Sequence, residues 1–132
     1  MRTGWGAGMK GPVEGMEDEL GAHVSVAGGT PNAPARASEI GAHVIQIFTK
    51  QANRWAEREV APEEADAFRL ACREAAITRA ASHDSYLINL ASPDDTLFRR
   101  SLDSFTAELR RSEALGLDFA VTHPGNATDG DP

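Results

Sequence analysis

His83-Asp84-Ser85-Tyr86-Leu87-Ile88-Asn89-Leu90 and Val121-Thr122-His123-Pro124-Gly125 are the two stretches that decide how this chain is read. Each sets a histidine at the C-terminal end of a β-rich run, immediately before a loop. In a parallel α/β architecture that edge of the sheet is where ligands and metals bind. Two imidazoles delivered to one rim point to a metal site.

Working outward from these segments, the spacing predicts alternating strands and helices. A fourth strand covers 117–122. The helix before it starts at Ser92-Pro93-Asp94-Asp95, which offers a serine cap, a proline next to it and acids in the first turn. Its predicted inner face is Phe98, Leu102, Phe105, Leu109 and Leu115, closed by Gly116. A third strand covers about 78–82. Pro62 opens the helix before it, with Ala65, Phe68, Cys72 and Ala76 on one face. His43 to Phe48 is the second strand, followed by a polar loop over 49–58 that contains Trp55. Leu20 to Ser25 is the first strand, running into a Gly28-Gly29 loop. Thr30-Pro31 then supplies an N-cap and a proline for a helix carrying Ala33, Ala37 and Ile40, ended by Gly41.

The order β-α-β-α-β-α-β means a parallel sheet. Two architectures fit: an open doubly wound sheet, or part of a (β/α)8 barrel. A full barrel takes roughly 200 to 250 residues, so a chain of 132 residues supplies about four strands and three helices of one. The domain is expected over 19–126. Residues 1–18 are Gly-rich without hydrophobic period and read as a disordered leader, with Met16 an equally good start; 127–132 reads as a disordered tail.

The net charge of −7 excludes a surface that is basic throughout. Nucleic-acid binding then needs a local basic patch, or metal ions that supply positive charge. The single cysteine, Cys72, excludes an intramolecular disulfide and reads as a small buried core residue. No run reaches membrane-spanning length and no apolar signal region is present, so the cytoplasm is the default setting.

The chain has four histidines. His43 begins a strand, at the edge opposite the expected site. His23 ends the first strand and either lines the site or packs as a polar core residue. His83 and His123 are the candidate metal ligands, although a zinc site needs three or four protein donors. Asp84 either orients an imidazole or caps the next turn. Tyr86 and Trp55, in rim loops, either stack on bases or cover the top of the sheet. Lys50, Arg54 and Arg58 either contact phosphates or are simply solvated.

Taken together, Leu20 to Gly29, Gln46-Ile47-Phe48-Thr49-Lys50 with Trp55, His83 to Leu90, Leu115-Gly116-Leu117 and His123-Pro124-Gly125 closely resemble, in order and spacing, the N-terminal half of the endonuclease IV family. These are apurinic/apyrimidinic endonucleases on a TIM barrel of the xylose-isomerase-like type, with a trinuclear zinc site. The resemblance implies double-stranded DNA with abasic sites as partner, zinc as cofactor, and hydrolysis of the phosphodiester 5′ to the abasic site. It puts His83 and His123 on zinc-ligand positions and Tyr86 on an aromatic of a DNA-penetrating loop. It makes Lys50, Asn53, Arg54 and Trp55 part of a second DNA-recognition loop, with Asn53 standing where some members carry an inserting arginine. His23 falls near the pocket floor. The family's other ligands come from strands beyond the fourth, so this chain alone is expected to hold an incomplete site and to be inactive. Its open sheet edges are expected to favour self-association. Two other readings compete: a fragment of a sugar isomerase or epimerase barrel, and a non-catalytic half-barrel that binds DNA or metal.

Overall fold

A computed structural model describes residues 18–127. The expected leader and tail lie outside the described residues, apart from Asp18 and Ala127 at their borders.

Four strands form one parallel sheet: β1 (Gly21–His23), β2 (Val44–Phe48), β3 (Arg79–His83) and β4 (Phe119–Val121). Three α-helices connect them: α1 (Ala33–Glu39), α2 (Pro62–Glu74) and α3 (Asp95–Leu115). The spatial order β1-β2-β3-β4 follows the chain without reversal. A doubly wound sheet reverses at a switch point; a barrel does not. The order therefore decides between the two architectures in favour of the barrel type. In the ladder His23 pairs with Gln46, Phe48 with His83, and His83 with Val121.

Alternation along the strands separates two faces. Ile45, Ile47 and Ala80 point to the helices and pack with Ala33, Ala37, Phe68 and Leu115, all buried. Val44, Gln46 and Phe48 share the other face with His23, His83 and Phe119. That face corresponds to a barrel interior, and Phe119 on it is 52% exposed. Gly21 lets β1 lie close: a Cβ there would fall 2.9 Å from the Cβ of Val44.

Local details depart from the spacing. Thr30 does not cap a helix. It opens a 3₁₀ turn, Thr30–Asn32, and its buried hydroxyl donates to Glu64 Oε1 at 2.7 Å. A carboxylate is the stronger acceptor for a buried hydroxyl, and α1 starts only at Ala33. Ile40 lies past the end of α1 and is exposed. Ala76 is not on the face of α2. It follows the helix at φ +53, a left-handed position usually filled by glycine. The cap of α3 is Asp94, which accepts from Leu97 N at 2.6 Å; Ser92 instead accepts from Asp94 N in the preceding turn. Gly116 closes α3 at φ +74, as expected.

The largest departure is the face of α3. Phe98, Leu102 and Leu109 point outward, and only Leu115 of the predicted stripe is buried. The inward face is Ser101, Ser104, Glu108, Arg111 and Ser112. Small serines let the helix approach the sheet, where the Ser112 and Ser82 hydroxyls meet at 2.8 Å. An outer helix of a barrel packs on neighbouring helices as well as on strands, so its apolar stripe need not be the sheet-facing one.

Cys72 is half-buried beside the core cluster. Burial pushes its thiol up to about 11. The thiol is therefore protonated at pH 8, and a disulfide reagent is expected to label it ~100-fold more slowly than an ordinary thiol, since only the thiolate attacks. The rate should climb with pH up to about 11 and become ordinary in denaturant. Equal rates in folded and denatured protein would show that Cys72 is not packed as described.

Candidate functional site

β3 delivers His83 and β4 delivers His123 to the same end of the sheet. The rings lie 5.1 Å apart, centroid to centroid, at 50°. Nδ1 of His83 lies 2.9 Å from the backbone carbonyl of Asp84. A carbonyl only accepts, so Nδ1 carries a proton, and Nε2 is the nitrogen left to face a metal. Asp84 thus orients the imidazole, but through its main chain. Its buried carboxylate instead accepts from the Thr122 hydroxyl and stands 3.8 Å from His83 Nδ1, beyond hydrogen-bond distance. Burial raises the Asp84 pKa; the Thr122 bond and the neighbouring His83 oppose that rise.

His23 lies across Phe48 from His83. Its ring is 4.5 Å from the Phe48 ring, and its Nδ1 is 2.9 Å from Gln46 Nε2. Burial, and then the proximity of His83, lower its pKa. His43 precedes β2 at the far end and is exposed. Among the described residues no group of three or more His, Cys, Asp or Glu converges to hold a metal ion. The donor chemistry of His83 and His123 suits zinc, but two imidazoles make part of a site and not a whole one.

Around the histidines, three loops are stitched together. Tyr86 N and the Ser85 hydroxyl both donate to Ala52 O, at 3.0 and 2.7 Å, joining the loop after β3 to the loop over 49–58. Tyr86 itself is 67% exposed, with its ring edge-on to Phe48 at 5.4 Å and 6.2 Å from the His83 ring. Asn53 and Arg54 are exposed at the tip of the 49–58 loop. Trp55 is half-buried, with the Arg100 guanidinium 4.5 Å from its ring centroid. Lys50 differs from the rest. It is buried, and its ammonium turns inward to the carbonyls of Arg54 and Ala56 and to Glu57 Oε1 at 3.3 Å.

The 49–58 loop rests on a buried polar network. Arg111 donates to Thr49 Oγ1 at 2.8 Å, to Glu108 Oε2 at 2.8 Å and to Glu57 Oε2 at 2.5 Å. The Thr49 hydroxyl donates to Glu108 at 2.7 Å, and Ser104 to Glu57 at 2.5 Å. Burial opposes ionisation of Glu57, yet bonds from Ser104 and Arg111 and the charges of Arg111 and Lys50 together hold its carboxyl below the ordinary value. Arg58 ties the loop's end to Thr49 O at 2.7 Å and to Glu64. Among the described residues no buried side-chain polar atom lacks a partner. Sequence reading missed Glu57, Glu108 and Arg111. The available signal was a Glu–Arg pair three apart, flanked by serines at helical spacing on one face of α3.

Fold and strand order together define a segment of a (β/α)8 barrel. Residues 34–132 match the profile of the xylose isomerase-like TIM barrel family, and the chain belongs to that family. It is similar to the probable endonuclease 4 of Thermoplasma acidophilum, with 44% identity over 110 residues, which cover 83% of this chain and 39% of that protein. Its fold is similar to the crystal structure of endonuclease IV from Thermus thermophilus, with a TM-score of 0.78 and 32% identity over 83% of this chain and 41% of that one. The chain spans about two fifths of the length of these relatives.

Because Glu108 and Arg111 are 1% and 3% exposed, removing one partner strands a buried charge. Glu108→Ala is expected to cost about 3–5 kcal/mol in urea unfolding, and replacing both residues by Met to recover much of that loss. A single-mutant cost below about 1 kcal/mol would mean that the pair is solvated.

Proposed function

We propose that this chain is the N-terminal, DNA-facing part of an endonuclease IV-type enzyme that, as a complete barrel, cleaves the DNA backbone 5′ to abasic sites. The observation that carries the reading is the close approach of His83 and His123 beside the exposed Tyr86, in a chain that resembles two endonuclease IV proteins over four fifths of its length. No described helix is long and apolar enough to cross a membrane.

In this reading His83, through Nε2, and His123 are two ligands of a zinc site completed by donors from further strands. Zinc held by a full donor set supplies a hydroxide near neutral pH and offsets charge on the phosphate oxygens. Tyr86 reaches from the rim toward the base stack, where an aromatic ring fills the gap left by a missing base. Asn53, Arg54 and Trp55 meet the backbone from the second loop. Lys50 shapes that loop from beneath, since its ammonium is committed to the loop's own carbonyls. His23 lines the mouth without taking a metal. With two imidazoles as its donors, the chain alone binds damaged DNA but does not cut it.

Among the described residues the edges β1 and β4 each pair on one side only, and the inner face presents Phe119 to solvent. Self-association follows from these open edges. The apparent mass in size-exclusion chromatography is expected to rise with loading concentration, and a constant monomer mass would sink this part of the proposal.

Anisotropy titration with an abasic-site duplex and the matching intact duplex tests the DNA reading. The abasic duplex is expected to bind about tenfold more tightly. Tyr86→Ala should weaken that binding by about 5- to 150-fold, the range of one lost stacking contact, with no cleavage in added zinc. Equal affinity for the two duplexes overturns the abasic reading. Cleavage that EDTA abolishes overturns the incomplete donor set.

A further inference from the structure

We infer that Asn89 is a positioning residue that holds the His123 loop against His83 and thereby sets the spacing of the two imidazoles, an inference that rests on reading both as metal ligands. His123 lies in an irregular segment after β4, and nothing in the sheet ladder fixes it. Two pins reach it from the loop after β3. On one side, the Thr122 hydroxyl donates to the Asp84 carboxylate. On the other, the Asn89 amide grips the main chain of Asn126 in both directions. Its Nδ2 donates to Asn126 O at 2.9 Å, and its Oδ1 accepts from Asn126 N at 3.0 Å. The same Oδ1 accepts from Ala91 N at 3.1 Å, so the amide cannot turn over without losing all three bonds. His123 sits between the pins, three residues before Asn126.

Asn89 is itself anchored. Its backbone N–H donates to the Ser101 hydroxyl at 2.9 Å, and Ser101 is fully buried on α3. The grip therefore connects the helix to the rim. Its geometry also dictates the residue that faces it. Gly125 has φ +93, and a Cβ built there would fall 2.0 Å from Asn89 Oδ1 and 3.0 Å from Asn89 Cα. A glycine is required both by the backbone conformation and by the closeness of the amide. Only a short side chain with a donor and an acceptor on one planar head can make this contact. Aspartate keeps the acceptor and loses the donor.

The test uses the whole chain and two readouts. The first needs no metal: the nuclear Overhauser contact between the ring protons of His83 and His123. It is expected in the wild-type chain, weakened in Asn89→Asp, and lost in Asn89→Ala and in Gly125→Ala, which attacks the same contact from the opposite side. The second is zinc affinity by competition with a chromophoric chelator. Asn89→Ala is expected to lower it about 10- to 100-fold, as is usual for residues that orient ligands, while far-UV dichroism and the unfolding transition of the remainder stay those of a folded chain. An unchanged ring contact in both Asn89→Ala and Gly125→Ala overturns the inference. So does zinc affinity that needs both histidines yet is unaffected by Asn89→Ala. Loss of the ring contact in a chain that takes up no zinc supports the positioning role and overturns only zinc binding by these two imidazoles on their own.

Discussion

Parallel pairing of β2, β3 and β4 is the constraint on which the rest depends. It sets Phe48, His83 and Val121 side by side in one register. Parallel strands send all their carboxyl ends to one edge, so every loop that leaves them starts at the same rim. The 49–58 loop, the loop after β3 and the loop after β4 become neighbours for that reason alone. Had any strand run antiparallel, the two histidines would have left the sheet at opposite ends.

Neighbourhood is not yet geometry, and polar bonding supplies the rest. The sheet-facing surface of α3 carries an arginine and a glutamate where an apolar stripe was expected. As a source of net stability such a pair is a poor choice. Desolvation of two ions costs several kcal/mol each, and their attraction does little more than offset it. What the pair does supply is direction. Arg111 has five donors in a fixed fork, and here they fix Thr49, Glu57 and Glu108 relative to one another. An apolar contact of the same area would hold the 49–58 loop down without fixing its orientation. For a loop that meets a ligand, orientation is the property that counts.

Strand and helix order were legible because alternation of apolar runs with capped helices is a local signal. Pro62, Gly116 and the acids of the first turns marked boundaries that hold to within about two residues. The positions of His83 and His123 were legible for the same reason: His83 is the last residue of β3, and His123 lies two residues past the end of β4. Three things were not. The inward face of α3 was misread because two stripes run along that helix, and periodicity does not say which one meets the sheet. The inward turn of Lys50 was hidden because a lysine in a polar loop has no sequence mark for burial; its partners Arg54, Ala56 and Glu57 offer it carbonyls and a carboxylate only once the loop has closed. The hydroxyl of Thr30, which looks like a helix cap, goes to Glu64, 34 residues away. Contacts of that kind carry no local signature.

The balance between what is built and what is left open bears on how such a rim arises. The helix-facing side of the sheet is a closed apolar core, and the loops are tied down by polar bonds with no buried side-chain polar atom left without a partner among the described residues. The opposite side shows His23, Gln46, Phe48 and Phe119 on a face that the described residues leave partly open, flanked by two strand edges that no described strand pairs. Both halves of the picture follow from one packing rule. A strand in a barrel buries one face under helices of its own segment, through contacts close in sequence. It buries the other against strands across the barrel, through contacts far away in sequence. The near contacts suffice to order the loops, because Asp84, Asn89, Thr122 and Gly125 all belong to adjacent elements. The far contacts are the ones that would exclude water from the inner face. Order at the rim therefore rests on the near contacts, and these hold the rings of His83 and His123 5.1 Å apart.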